Sequence, residues 1–188
     1  MVAPFSFRRL PAVAAAPAEW KADLDRFDAD LRASGSATAF LEQWMAARLG
    51  AAAPGPAVRV RLRAAPCRVM APEAAERLGL APETELAYRS VWLVRGGRIL
   101  SGAENWYVPE RLSPAMNQRL AEGYMPFGRV VRPLEPTRDT FAVERLWDGC
   151  GAAVPARLTR HRALMCDAGG RPLCVVSETY MRSILRRG

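Results

Sequence analysis

The chain has 188 residues, of which 50% are hydrophobic and 24% charged, with a formal net charge of +8. This suits one soluble domain with its own core and excludes a disordered chain; no apolar run approaches the roughly 20 residues that cross a bilayer. The positive balance invites a nucleic-acid reading, but Lys21 is the only lysine and the arginines are spread along the sequence without a stripe or aromatic-interleaved patch, so no nucleic-acid partner is expected.

The first 18 residues are an Ala/Pro-rich start, expected to be poorly ordered, and residues 19–188 read as one domain without repeat or linker. Arg8-Arg9 before Leu10-Pro11-Ala12-Val13 resembles a secretion signal only superficially, because the apolar part is minimal and holds a proline. Trp20, Leu24, Phe27 and Leu31 recur at spacings of four, three and four, which predicts a helix with one buried stripe. Asp23, Asp25, Asp28 and Asp30 are read as its solvated face, since no glycine turn of a calcium loop accompanies them. Ser36 is a candidate N-cap for a second helix, about Thr38 to Leu49, presenting Phe40, Leu41, Trp44, Met45 and Leu49, followed by a connection from Gly50 to Pro56. Val58 to Arg63 alternates as a strand with one solvated face, and Pro72 to Leu78 reads as a short helix ended by Gly79.

Leu86 to Val94 and a return strand through Trp106-Tyr107-Val108 form a hairpin about Gly96-Gly97. A helix from Leu112 to Glu122 follows, then strands over Thr137–Trp147 and Leu158–Cys166, and a turn at Asp167–Gly170 leads into a last strand, Leu173 to Met181. Hairpin-joined strands with helices between some of them predict an α+β fold, an antiparallel sheet of about six strands with helices on one side.

Two of these strands send a charge into an otherwise apolar face. Alternation puts Glu178 with Cys174, Val176 and Tyr180, and Arg89 with Ala87, Val91 and Leu93. A charge in an apolar layer is costly unless paired or used. The two residues are therefore either a buried ion pair tying two strands together or the walls of a cavity for a small anionic molecule, whose carboxylate a guanidinium grips with two parallel hydrogen bonds.

Other chemistry finds little support. His161 is the only histidine, read as an exposed strand residue, and no Gly-x-Ser-x-Gly elbow accompanies it. Cys67, Cys150, Cys166 and Cys174 contain no C-x-x-C pair and read as reduced thiols of a cytoplasmic protein. Metal-ligand spacings, a phosphate loop and a dinucleotide fingerprint are missing, so no metal or cofactor is expected.

Ser36-Ala37-Thr38, the Arg89 strand with Val108-Pro109 after its hairpin, Pro126-Phe127-Gly128-Arg129, Thr137-Arg138-Asp139, and Gly170-Arg171-Pro172-Leu173 leading to Ser177-Glu178, taken in this order, resemble segments of bacterial chorismate lyase. The resemblance implies a six-stranded antiparallel sheet with helical flaps over an internal site, where chorismate loses pyruvate to give 4-hydroxybenzoate. By position, Arg89 would hold the ring carboxylate with the backbone N–H groups near Phe127 and Gly128, and Glu178 would meet the para-hydroxyl and serve with Arg89 in catalysis. Arg138 or Arg129 would take the second carboxylate. The chain departs from the family at Ala37 (a methionine there), at Ser90 (an acid there) and around Glu104-Asn105-Trp106 (an arginine there). The phrase from Ala74 to Thr84 is also similar to UTRA, the ligand-sensing domain of GntR-type regulators. The leading expectation is thus a chorismate-lyase-like enzyme, and the alternative a non-catalytic domain that binds an aromatic or cyclic carboxylate.

Overall fold

The computed structural model describes residues 19–49, 58–66, 69–70, 72–81, 84–150 and 153–186. The expected disorder of residues 1–18, the whole connection from Gly50 to Pro56, and Cys67 lie outside these. One six-stranded antiparallel sheet organises the chain: β1 (Arg59–Leu62), β2 (Ala87–Arg95), β3 (Arg98–Tyr107), β4 (Thr137–Arg145), β5 (Arg157–Cys166) and β6 (Pro172–Met181), in the order β1-β2-β3-β6-β5-β4. The hairpin between β2 and β3 closes through Gly96 and Gly97, both at positive φ (55° and 74°) as a primed two-residue turn requires.

Helices α1 (Glu19–Ala33), α2 (Ala37–Leu49), α4 (Pro114–Glu122) and α5 (Phe127–Val130) supply the apolar layer that packs with one sheet face. The periodic stripe of α1 is buried as predicted, and Phe27 meets the Tyr180 ring edge-on, centroids 4.9 Å apart. Each such buried side chain is worth about 1.5–3 kcal/mol. Ser36 caps α2, its hydroxyl accepting from Ala39 N at 3.3 Å, and Trp44 Nε1 donates to Ile184 O at 2.8 Å, fixing α2 to the C-terminal segment. Helix α4 starts two residues later than the pattern suggests, because Ser113 accepts from Met116 N as N-cap and Pro114 takes the first helical position. On the reverse face, α3 (Pro72–Leu78) buries Ala74 and Leu78 in a smaller cluster with Val175.

Two expectations are corrected. The acidic side of α1 is not uniformly solvated: Asp23 and Asp28 are buried, Asp23 paired with Arg48 at 2.9 Å and Asp28 with Arg145 at 2.9 Å and His161 at 2.8 Å. His161 is not exposed but has no accessible surface, and it bonds from the sheet to the helix above. The physical reason is one of facing: Arg160 and Arg162 flank His161 in β5 and point to the reverse face, which turns the imidazole inward. Edge strand β1 covers one side only in part: Val58 just before it is buried and Val60 packs against the core, but Leu62 is 52% exposed.

Candidate ligand-binding site

Cross-strand register decides what meets on the inner face. Val91, Ala103, Glu178 and His161 lie opposite one another in one row across β2, β3, β6 and β5, and Arg89, Asn105, Val176 and Ala163 in the next. Both charges do turn inward, as alternation requires. They are not a pair, however, because β3 lies between their strands. Glu178 is instead claimed from the far edge of the sheet: Arg138 on β4 donates Nη2 to its Oε2 at 2.9 Å, with side chains only 2% and 7% exposed. Tyr180 Oη donates to the same oxygen at 2.9 Å. Oε1 is therefore open to accept from something else.

Electrostatics fit this arrangement. Burial alone would depress the Arg138 pKa, but Glu178, joined by Tyr180 and Asp139, outweighs it and holds the guanidinium above its ordinary value. Burial, then the adjacent Glu178 charge, pushes the Tyr180 phenol well up, so it stays protonated and donates. Nearby Cys174 is fully buried and its thiol is pushed up, chiefly by desolvation.

Among the described residues Arg89 has no such counter-charge. It is 6% exposed, its Nη2 donates to Met125 O at 2.8 Å, and its Nε and Nη1 are buried without any hydrogen-bond partner. Desolvation lowers its pKa, opposed by Tyr107 and Cys174. Its cross-strand partner Asn105 and the residues that follow Met125 line a pocket between sheet and helices, with about 450 Å³ of space including its mouth.

The pocket wall brings together Ala37, Phe127, Gly128, Arg138 and Glu178 from the sequence-predicted set, with Ser36, Thr38 and Asn105 as further polar members and Val91, Leu93, Ala103, Pro126, Met165 and Val176 as apolar ones. Arg89 is not itself a lining residue; it neighbours the wall through its cross-strand partner Asn105. Arg129 is elsewhere: it forms an ion pair with Glu42 at the surface, because one turn of α5 carries it away from Phe127. The N–H groups of Phe127 and Gly128 open α5 and so have no partner within the helix. Arg138, already held by Glu178 and Thr140, is not a free cation for a second carboxylate. Asn105, Val91 and Leu93 are the lining residues that a reading centred on single charges passes over, although Val91 and Leu93 share the alternation of Arg89. Helix α5 has no periodic signal, being four residues long.

Among the described residues no group of three His, Cys, Asp or Glu side chains is placed to hold a metal, and no helix is long and apolar enough to cross a membrane.

This architecture is a UTRA-related α+β fold. The chain superposes on PhnF from Mycobacterium smegmatis with a TM-score of 0.51 at 14% identity, over 80% of this chain and 65% of PhnF, less than two thirds of that protein's length. The effector domain of PhnF matches with a TM-score of 0.49 at 13% identity, over 79% of this chain and 90% of that domain. At these identities the likeness concerns the fold alone. In sequence, the chain is 32% identical over 200 residues to the uncharacterized protein y4mC of Sinorhizobium fredii, covering 96% of this chain and 82% of y4mC. The chain belongs to the y4mC family. No protein-family model matches it.

Proposed function

We propose that the chain is a small-molecule-binding domain of UTRA type, whose inner pocket takes an aromatic or cyclic carboxylate. The observation that carries this reading is Arg89, a buried guanidinium with two unmatched N–H groups beside a largely apolar cavity. An unsatisfied buried donor costs about 1–3 kcal/mol, so such a group is retained at a loss unless something accepts from it. A carboxylate is the matching acceptor, and the apolar wall of Val91, Leu93, Met165 and Val176 suits the flat body of a ring. At the other end, Oε1 of Glu178 accepts from a ring hydroxyl.

Calorimetric titration with benzoate, 4-hydroxybenzoate and the neutral isostere benzamide tests the proposal. Saturable binding of the acids, with 4-hydroxybenzoate tightest and benzamide silent, is the expected result; indifference to the charge would refute it. The second reading, elimination of pyruvate from chorismate, is favoured by Glu178 and Arg138 facing the same pocket and by the resemblance of the segments around them. In that reading a cyclic transfer of the ring proton to the departing enolpyruvyl methylene needs no external base, and the pocket supplies conformer selection and dryness. Formation of 4-hydroxybenzoate and pyruvate from added chorismate would establish it over the first.

A further inference from the structure

The arginines that are scattered in sequence converge in space. Arg59, Arg61 and Arg63 follow one another at alternate positions along and just beyond β1, and Arg160 and Arg162 do the same on β5, so all point to the sheet face opposite the inner pocket. Between these rows lies a shallow depression, with about 380 Å³ of space when the open solvent at its mouth is included. Its floor is Gly102 and Thr179, and its rim carries Arg63, Arg157 and Arg160, with Glu104 as a lining acid.

Three features make this a built site rather than a solvated face. The Trp92 indole lies directly over Gly102, where an added Cβ would come within 2.7 Å of the ring, so the floor depends on the absence of a side chain. The Arg63 guanidinium rests 4.8 Å from the centre of that indole and is thereby held in place. Arg160 is oriented by Thr179 Oγ1 at 3.3 Å and by Glu144 at 2.8 Å. Among the described residues the Arg157 side chain makes no ion pair or hydrogen bond, and the Arg63 side chain makes no ion pair. Two oriented guanidinium groups and one uncommitted one around a concave floor call for a compact multivalent anion, and the planar fork of Arg matches phosphate oxygens in pairs. The Glu104 carboxylate, which already accepts from Tyr88 Oη at 3.2 Å, repels a bare anion, but with about four acceptor sites it accepts as well from a hydroxyl on the same molecule.

We infer that this depression is a second ligand site, independent of the inner pocket, for a small hydroxylated phosphate monoester. The test is calorimetric titration of the purified full chain with ribose 5-phosphate, ribose, inorganic phosphate and a single-stranded oligonucleotide. Ribose 5-phosphate should saturate one site at least about tenfold more tightly than inorganic phosphate, and ribose should not bind. Arg157→Ser, an exposed position, should fold normally and weaken that binding about tenfold or more, whereas Arg89→Met should leave it unchanged. Absence of saturable monoester binding, insensitivity to Arg157→Ser, or loss on Arg89→Met would overturn the inference. So would tight oligonucleotide binding that the monoester does not displace, which would assign the face to a nucleic acid.

Discussion

Removing Glu178 alone should be among the most damaging single changes in this domain. Its carboxylate is the counter-charge of Arg138, whose side chain is 2% exposed, and it also accepts from the fully buried Tyr180 hydroxyl. Breaking a buried pair by deleting one partner costs about 3–5 kcal/mol, because the surviving charge is left uncompensated. For a chain of this size each kcal/mol lowers Tm by about 2–4 °C, so Glu178→Leu should reduce Tm by roughly 6–20 °C. Replacing both charges, Glu178→Leu with Arg138→Met, removes the orphaned cation and leaves mainly the Tyr180 hydroxyl without an acceptor, a loss of about 1–3 kcal/mol. The double variant should thus be more stable than the Glu178 single variant. Urea denaturation followed by tryptophan fluorescence and thermal scans of wild type, both single variants and the double give the coupling energy. A double variant as unstable as the sum of the singles would show that Arg138 and Glu178 do not depend on each other, and the site geometry would be wrong.

Alkaline pH should destabilise the fold. The Cys174 thiol and Tyr180 phenol are both held protonated by burial, above ordinary values of 9.0 and 10.0, while the unfolded chain releases those protons. Their contribution is complete below pH 9.0 and declines as pH rises above it, at up to about 1.4 kcal/mol per pH unit for each group; denaturation midpoints between pH 8 and 11 check this, and Cys174→Ala should flatten the start of the decline. Gly123 ends α4 at φ 78° with its Cα against Leu62, so Gly123→Ala should cost about 1–2 kcal/mol or more, measurable by thermal melting. Asp28→Ala strips the His161 ring of its only hydrogen-bond partner among the described residues and Arg145 of one carboxylate, and should lose about 1–3 kcal/mol by urea denaturation; an unchanged midpoint would count against the buried network.

Much of the fold was legible because strand alternation and helix periodicity are local. The α1 stripe, the Gly96-Gly97 hairpin, the Ser36 cap and the inward turn of both Arg89 and Glu178 follow from residues a few positions apart. Partnership across the sheet is not local. That Glu178 pairs with Arg138 depends on β4 lying beyond β5, and that Arg89 stays unpaired depends on β3 intervening, neither of which any spacing in the sequence expresses. His161 could have been read correctly: arginines on both sides of it in an alternating strand leave only the inner face. The same alternation, applied to Arg59, Arg61 and Arg63, would have gathered the scattered positive charge onto one side of the sheet, which a search for a contiguous stripe could not do.

The central claim is that Arg89 is kept buried and unmatched for a ligand carboxylate, and the affinity of 4-hydroxybenzoate for wild type and for Arg89→Met tests it most directly. Two charge-assisted hydrogen bonds, each worth about 1.5–3 kcal/mol, predict that Arg89→Met weakens binding at least about a hundredfold. The substituted protein should melt near wild type, since the change removes two unsatisfied donors together with one hydrogen bond to Met125. Equal affinity in the two proteins, or a collapse of stability without any binding by wild type, would contradict the account.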